Sequence, residues 1–288
     1  MKYVKSGNDG ILITGGTGFL GVHIIEQIPN IPVFVLKNKT SYVDSANLWQ
    51  TKHGNVTEIT DIYDIKPTKV WHLASKIHAS ASNLMFDNVD KWRCLAEHNN
   101  LTLASSLSVF VSSTKNEGTF YETPLEMIEN HIPLNGYAAS KIAAEKLFSH
   151  STIIRFGLLT GSRNTGIQHG FYKWFFDALK EYGGTDIVDI DKAVDITPVD
   201  WAAKCFLELE SKGKNGGIFH IAADVPQKLC EFDYFINPDF HNLRFRSIGL
   251  KLLRNAFLGK GYSNYDLFQS TRCLFDKTNS LKYISENL

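Results

Sequence analysis

Tyr137 and Lys141 stand four residues apart in Tyr137-Ala138-Ala139-Ser140-Lys141. On a helix that spacing puts both side chains on one face. A free phenol has a pKa of about 10, too high for ready proton exchange at neutral pH. A nearby ammonium favours the phenolate, so the pair predicts a tyrosine of lowered pKa. Such a group gives a proton to a developing alkoxide or takes one from an alcohol. Thr114 follows the apolar run Val109-Phe110-Val111-Ser112 and offers a hydroxyl to the same oxygen; Ser112 and Ser113 are its rivals for that place.

A second cluster suits an anion. Thr14-Gly15-Gly16-Thr17-Gly18-Phe19-Leu20-Gly21 satisfies G-x-G-x-x-G through Gly16, Gly18 and Gly21, and G-x-x-G-x-x-G through Gly15, Gly18 and Gly21. It follows an apolar strand and opens a helix. Missing side chains let the backbone turn tightly there and let a pyrophosphate approach the free N–H groups of a helix N-terminus. About 20 residues beyond such glycines, an NAD site carries an acid for the ribose 2′-hydroxyl. Here Lys37 and Lys39 occupy that stretch, and no acid comes before Asp44. Cations suit a 2′-phosphate, so the expected cofactor is NADP(H). Asp61 stands where a side chain meets the adenine amino group.

These groups need a scaffold. Strands are predicted at Ile11–Thr14, Val33–Leu36, Asn55–Ile59, Val70–Ala74, Val109–Ser112, Thr152–Arg155 and Ile218–Ile221. Helices are predicted from Phe19 to Ile28, where Pro29 stops the chain, from about Leu84 to Ser105, and from Tyr137 to Phe148. Continuous apolar strands alternating with helices imply an α/β fold, a doubly wound parallel sheet covered on both faces. The predicted division is a dinucleotide-binding core over 1–160, with returning segments at about 193–223, and a substrate lobe built from 161–192 and 224–288. Beyond Asp224 periodicity weakens and aromatics crowd in.

Composition narrows the function. The 30 basic and 30 acidic residues balance, which argues against a general nucleic-acid or polybasic membrane binder. No run of about 18 apolar residues exists to span a bilayer, and Met1–Gly10 is polar, so a cytoplasmic protein is expected. Cys94, Cys205, Cys230 and Cys273 form no C-x-x-C pair and read as reduced, mostly buried thiols. The ten histidines show no metal-ligand spacing, so no metal is expected. His72 reads as a core residue.

With those residues in view, the chain resembles an extended short-chain dehydrogenase/reductase of Rossmann type over about residues 10–223. The resemblance rests on TGGTGFLG at 14–21, HLAS at 72–75, VFVSST at 109–114, YAASK at 137–141 and FHIA at 219–222. It implies that Thr114 orients a substrate carbonyl and that Tyr137 is the acid–base. Lys141 would lower the Tyr137 pKa and hold the nicotinamide ribose, and Asn88 would serve a proton relay. It further implies cofactor contacts from Leu73, Ala74 and Ser75, and from Phe156 and Gly157 in Arg155-Phe156-Gly157, which has Phe where the family has Pro.

A narrower likeness is to thioester reductases acting on carrier proteins and to acyl-CoA reductases. It rests on Gly161–Gly166 with the aromatic helix Phe171–Tyr182 behind it, and on Val194-Asp195-Ile196-Thr197-Pro198-Val199-Asp200-Trp201. It implies an NADPH-dependent reductase whose acyl substrate is a small molecule or is bound to a carrier protein, and it leaves room for a homodimer. Two other readings stand beside it. One is a reductase, epimerase or dehydratase of a nucleotide sugar or small ketone. The other is a non-catalytic NADP(H)-binding scaffold or redox sensor.

Overall fold

A computed structural model describes residues 10–37, 55–75, 91–110, 117–125, 133, 136–169, 173, 193–194, 196–212, 215–222, 227–228 and 272–285. The strands are β1 (Ile11–Thr14), β2 (Val33–Leu36), β3 (Val56–Ile59), β4 (Lys69–His72), β5 (Leu101–Ser106), β6 (Glu117–Phe120), β7 (Thr152–Phe156), β8 (Leu158–Thr160), β9 (Ala193–Val194), β10 (Ile196–Pro198), β11 (Ile218–Ile221), β12 (Gln227–Lys228) and β13 (Arg272–Phe275). The helices are α1 (Phe19–Gln27), α2 (Gly136–Leu147) and α3 (Val199–Lys212).

Seven strands make one sheet in the order β11-β7-β5-β4-β1-β2-β3. Every pairing in it is parallel. This is a Rossmann-type α/β fold. Side chains alternate across the sheet, and both faces are covered. Ile11, Ile13, Val33 and Val35 pack under α1 and α3, whereas Leu12, Phe34, Val70 and Leu103 face Trp92, Leu95 and Phe148 on the other side. Burial on two faces is why these strands read as unbroken apolar runs. The chain order reverses at β1, which lies between β2 and β4; ligands of such sheets bind in the crevice beyond that switch point.

Two predicted elements are corrected. The helix expected from Leu84 to Ser105 is not formed over its second half. Residues 91–100 are turns with a single 3-10 turn at Arg93–Leu95, and Leu101–Ser106 is a strand. Asn99-Asn100 breaks the helical pattern, and five of the six β5 residues are buried between β4 and β7. The strand expected at Val109–Ser112 is likewise displaced, because Leu107–Phe110 is a 3-10 turn. Val109 and Phe110 are apolar because they fill a satellite core with Phe120 and Leu125, not because they belong to the sheet.

The segment 272–285, assigned from sequence to the substrate lobe, is docked on the core. β13 pairs in parallel with β6, and Tyr283 packs edge-on against Phe219 at 5.8 Å. The Glu122 carboxylate is the clamp. It accepts the amides of His220, Asn279 and Ser280, together with the Ser280 hydroxyl. Burial raises its pKa, and those donors offset only part of the rise. Among the described cysteines Cys205 is buried, as expected, but Cys94 is exposed. No helix among the described residues is long and apolar enough to cross a membrane.

Candidate active site

The glycine loop is built as the sequence implies, and each glycine has its own reason. Gly15 has φ +76°, in the left-handed region, and a Cβ there would lie 2.7 Å from the Ala74 amide nitrogen. A Cβ on Gly16 would strike Val35, and one on Gly21 would strike the Gly15 carbonyl at 2.3 Å. These three glycines let the loop, α1 and the strand ends close on one another. Gly18 differs. A Cβ there would make one tight contact, at 3.1 Å to the Gly15 carbonyl oxygen. Gly18 is the N-cap of α1 and makes no side-chain cap, so the helix N-terminus suits a pyrophosphate, and the residues present fit a dinucleotide.

The neighbours of the loop can be placed. Thr17 is buried; Phe19 packs edge-on against His23 at 5.3 Å, and Leu20 lies against the core under α1. The Leu73 amide donates to the Thr14 carbonyl, Ala74 lies against Gly15, and Ser75 is partly exposed at the same sheet edge. Asp61 accepts the Tyr63 amide and so caps a short 3-10 turn. Lys37 follows β2 and forms an ion pair with Glu58 of β3 at 3.1 Å. Phe156 turns its ring into the core beside Phe206, while the Gly157 amide donates to the Ile221 carbonyl at the top of the sheet. Lys39, Asn88 and Thr114 lie outside the described residues, as does nearly all of the expected aromatic helix Phe171–Tyr182.

Tyr137 and Lys141 lie on α2 as their spacing requires, and three successive residues of β5 hold that helix. The Ser106 side chain lies near enough to the Tyr137 phenol to favour its charged form. The Lys141 ammonium donates to the Ala104 carbonyl at 2.7 Å. The Ser105 hydroxyl donates to Glu145 at 2.5 Å, one helical turn beyond Lys141. Among the described residues the hydroxyl nearest Tyr137 in this wall is that of Ser106, at the end of β5. Ser106 Oγ accepts the Ser108 amide at 3.2 Å. Sequence reading missed Ser106, because two successive apolar runs, LTLASS and VFVSST, both end in hydroxyls. The signal was Asn99-Asn100, a turn placed just before the first run.

The electrostatics also correct an expectation. The Tyr137 pKa is raised, not lowered: loss of solvation dominates, and the nearby Ser106 side chain offsets only part of it. Lys141 yields instead. Burial brings its pKa down to about 8, against the pull of Glu145. The site thus holds a neutral phenol beside an ammonium near its titration point. His72, at the end of β4, shares a 2.6 Å hydrogen bond between its Nδ1 and Thr14 Oγ1. Burial and the Lys141 charge push its pKa down to about 3, so its ring is neutral. As expected it is a core residue, packed against Trp92 and Phe148, and it joins the glycine loop to the catalytic wall.

The Asp200 carboxylate accepts the amides of Arg163 and Asn164. The D-x-x-P-V-D segment and the Gly161–Gly166 loop are thereby fastened to each other.

A parallel sheet with a glycine loop at its switch point, next to a Ser-Tyr-Lys wall, defines a dinucleotide-dependent enzyme of the extended short-chain dehydrogenase/reductase type. The chain belongs to the NAD dependent epimerase/dehydratase family, which it matches over residues 11–169. It is 25% identical to a UDP-glucose 4-epimerase from Vibrio cholerae over 148 residues, which is 47% of this chain and 45% of the epimerase, so the match spans about half of that relative. Among solved structures it is similar to the terminal R domain of the myxalamid PKS-NRPS pathway, with a TM-score of 0.68 and 19% identity over 97% of this chain and 85% of that one. It is also similar to a dTDP-glucose 4,6-dehydratase from Streptomyces venezuelae with NAD bound, with a TM-score of 0.60 and 19% identity over 93% and 85% of the two chains.

Proposed function

We propose that this protein is an NADPH-dependent carbonyl reductase and that its substrate is an acyl thioester. The observation that carries the reading is Tyr137 one helical turn from a buried Lys141, whose ammonium is held on the Ala104 carbonyl and lies 5.9 Å from the Tyr137 ring, with Ser106 near the phenol. A bound nicotinamide supplies the hydride. As negative charge grows on the carbonyl oxygen, Ser106 and Tyr137 meet it with two positioned hydroxyls. A phenol kept neutral by burial is a proton donor at neutral pH, which suits reduction. Lys141 steadies the tyrosinate left behind and faces the ribose. A thioester so reduced becomes a hemithioacetal, which parts into thiol and aldehyde; a second reduction gives the alcohol.

The thioester assignment is supported by the Gly161–Gly166 loop and the Asp195–Asp200 stretch, both similar to thioester reductases. We place substrate binding in 161–192 and in the aromatic segment beyond Asp224. Preference for NADPH is supported by Lys37, with Lys39 nearby, where an NAD enzyme carries an acid. A nucleotide-sugar substrate is the second reading, favoured by the relation to the Vibrio cholerae epimerase. A non-catalytic scaffold has no use for an intact Ser-Tyr-Lys wall.

The test offers purified protein and NADPH a panel of pantetheine thioesters, aldehydes and keto-sugar nucleotides, and follows cofactor oxidation. Thioester turnover supports the reading; turnover of sugar nucleotides alone overturns the substrate class. Tyr137→Phe should lower turnover by about 10²–10⁴-fold while NADPH still binds. Ser106→Ala against Thr114→Val decides the partner hydroxyl, and the larger loss is expected for Ser106→Ala.

A further inference from the structure

The wall behind the site holds an ion pair that the reaction above does not use. Arg155 of β7 is fully buried and grips Glu145 of α2 through Nε at 3.0 Å and through its terminal nitrogen at 2.7 Å. Its other terminal nitrogen donates to the Thr123 carbonyl at 3.0 Å, and the guanidinium lies over the Phe110 ring at 4.7 Å. Ser105 completes the shell of Glu145. Removing two ions from water costs several kcal/mol per ion before any attraction is gained.

Position suggests the use. Tyr137, Lys141 and Glu145 are at i, i+4 and i+8 on α2, and β5 meets them with Ser106, Ala104 and Ser105 respectively. The three rungs share one interface. The groups facing Lys141 are Tyr137 and Glu145 on its own helix and the neutral His72 on β4, with Arg155 of β7 behind Glu145. Glu145 is thus the negative charge set against the Lys141 ammonium.

We propose that Glu145 is a positioning residue that acts through Lys141: oriented by Arg155 and Ser105, its carboxylate keeps the ammonium charged and seated for the dinucleotide ribose. The inference rests on reading Lys141 as a cofactor-holding residue. Burial alone drives Lys141 toward its neutral form, and Glu145 is the group that resists. Arg155 holds the carboxylate in place by a two-pronged grip.

The test reads NADPH binding by fluorescence between pH 6.5 and 9.5, with no substrate present. In the wild type, affinity should weaken as pH rises through about 8, where Lys141 loses its proton. In Glu145→Gln that break should move to lower pH by roughly one unit, the scale of an opposite charge a few ångströms away. Because the single variant leaves Arg155 without its counter-charge, Glu145→Gln/Arg155→Gln is measured beside it; both should show the lowered break. A double variant that keeps the wild-type break would mean that the pair only holds the fold, and the proposal would fail. Lys141→Met separates the two levels. If it abolishes the break while both Glu145 variants retain it, the inference alone is wrong. If it binds NADPH like the wild type at every pH, the reading of Lys141 is wrong as well.

Discussion

Lys37–Glu58 and Arg155–Glu145 are both ion pairs with nitrogen–oxygen contacts near 3 Å, one at the adenine rim and one beneath the catalytic helix. In the first, 62% of the lysine side chain and 29% of the glutamate side chain are exposed. In the second, the values are 0% and 4%. An exposed pair in water gains about 0–1 kcal/mol and exchanges partners readily. A buried pair is fixed, because each member is intolerable without the other. The contrast matches two tasks. In the function proposed above, a 2′-phosphate would displace Glu58 from Lys37 each time NADPH binds, whereas the wall behind Tyr137 and Lys141 would stay fixed.

The largest expected effect breaks the buried member. Arg155→Met should cost about 3–5 kcal/mol of stability by leaving Glu145 buried and unpaired. Lys37→Met should cost less than about 1 kcal/mol. Chemical unfolding of both variants checks the comparison, and equal losses would remove its basis.

An intermediate effect concerns acid. His220 lies beside Arg155, its Nε2 3.4 Å from the guanidinium, and burial together with that charge pushes its pKa down to about 3. His72 is depressed to about 3 as well. Both rings take up protons near pH 6.5 when unfolded but resist them when folded. Between those values the unfolded chain binds more protons, so stability is full above about pH 6.5 and falls as pH drops toward 3. Each histidine adds a slope of up to about 1.4 kcal/mol per pH unit. Glu122, with its raised pKa, works in the opposite direction, but one carboxylate is set against two rings. Unfolding measured from pH 7 to 4 should show the slope, and His72→Gln should make it shallower. An unchanged slope would show that His72 titrates normally.

The smallest effect sharpens the rim. Glu58→Gln frees Lys37, so NADPH should bind about 2–5-fold more tightly while NADH is nearly unaffected. Lys37→Asp should reverse the preference, because a phosphate–ammonium contact contributes roughly 1–3 kcal/mol. Dissociation constants for both cofactors decide the matter.

What was legible in the chain follows a physical divide. The glycine loop and the Tyr-Lys helix are local patterns, fixed by the few residues around them, and both stand where the sequence places them. Ser106 was not legible, because its identity depends on which of two similar runs enters the sheet. That choice is made by pairing with β4 and β7, from residues distant in sequence. The direction of the Tyr137 shift was also hidden. The sequence shows an ammonium four residues away, but not the desolvation that outweighs it. Asp200 sits within a stretch noticed for its likeness to other enzymes; its use, accepting two amides of the 161–166 loop, appears only when both are folded.

The clamp on Glu122 has a consequence for how the chain reaches its native state. β6 finds its partner β13 only after more than 150 residues have intervened, and the Ser280 turn that satisfies the carboxylate lies further on still. Contacts of such long sequence separation close late, because loop entropy is lost before they reward it. During synthesis the sheet from β1 to β7 can assemble while Glu122 keeps its water. The Ser280 turn takes the place of that water and seals the edge beside β11, a polar latch over the strands of the core.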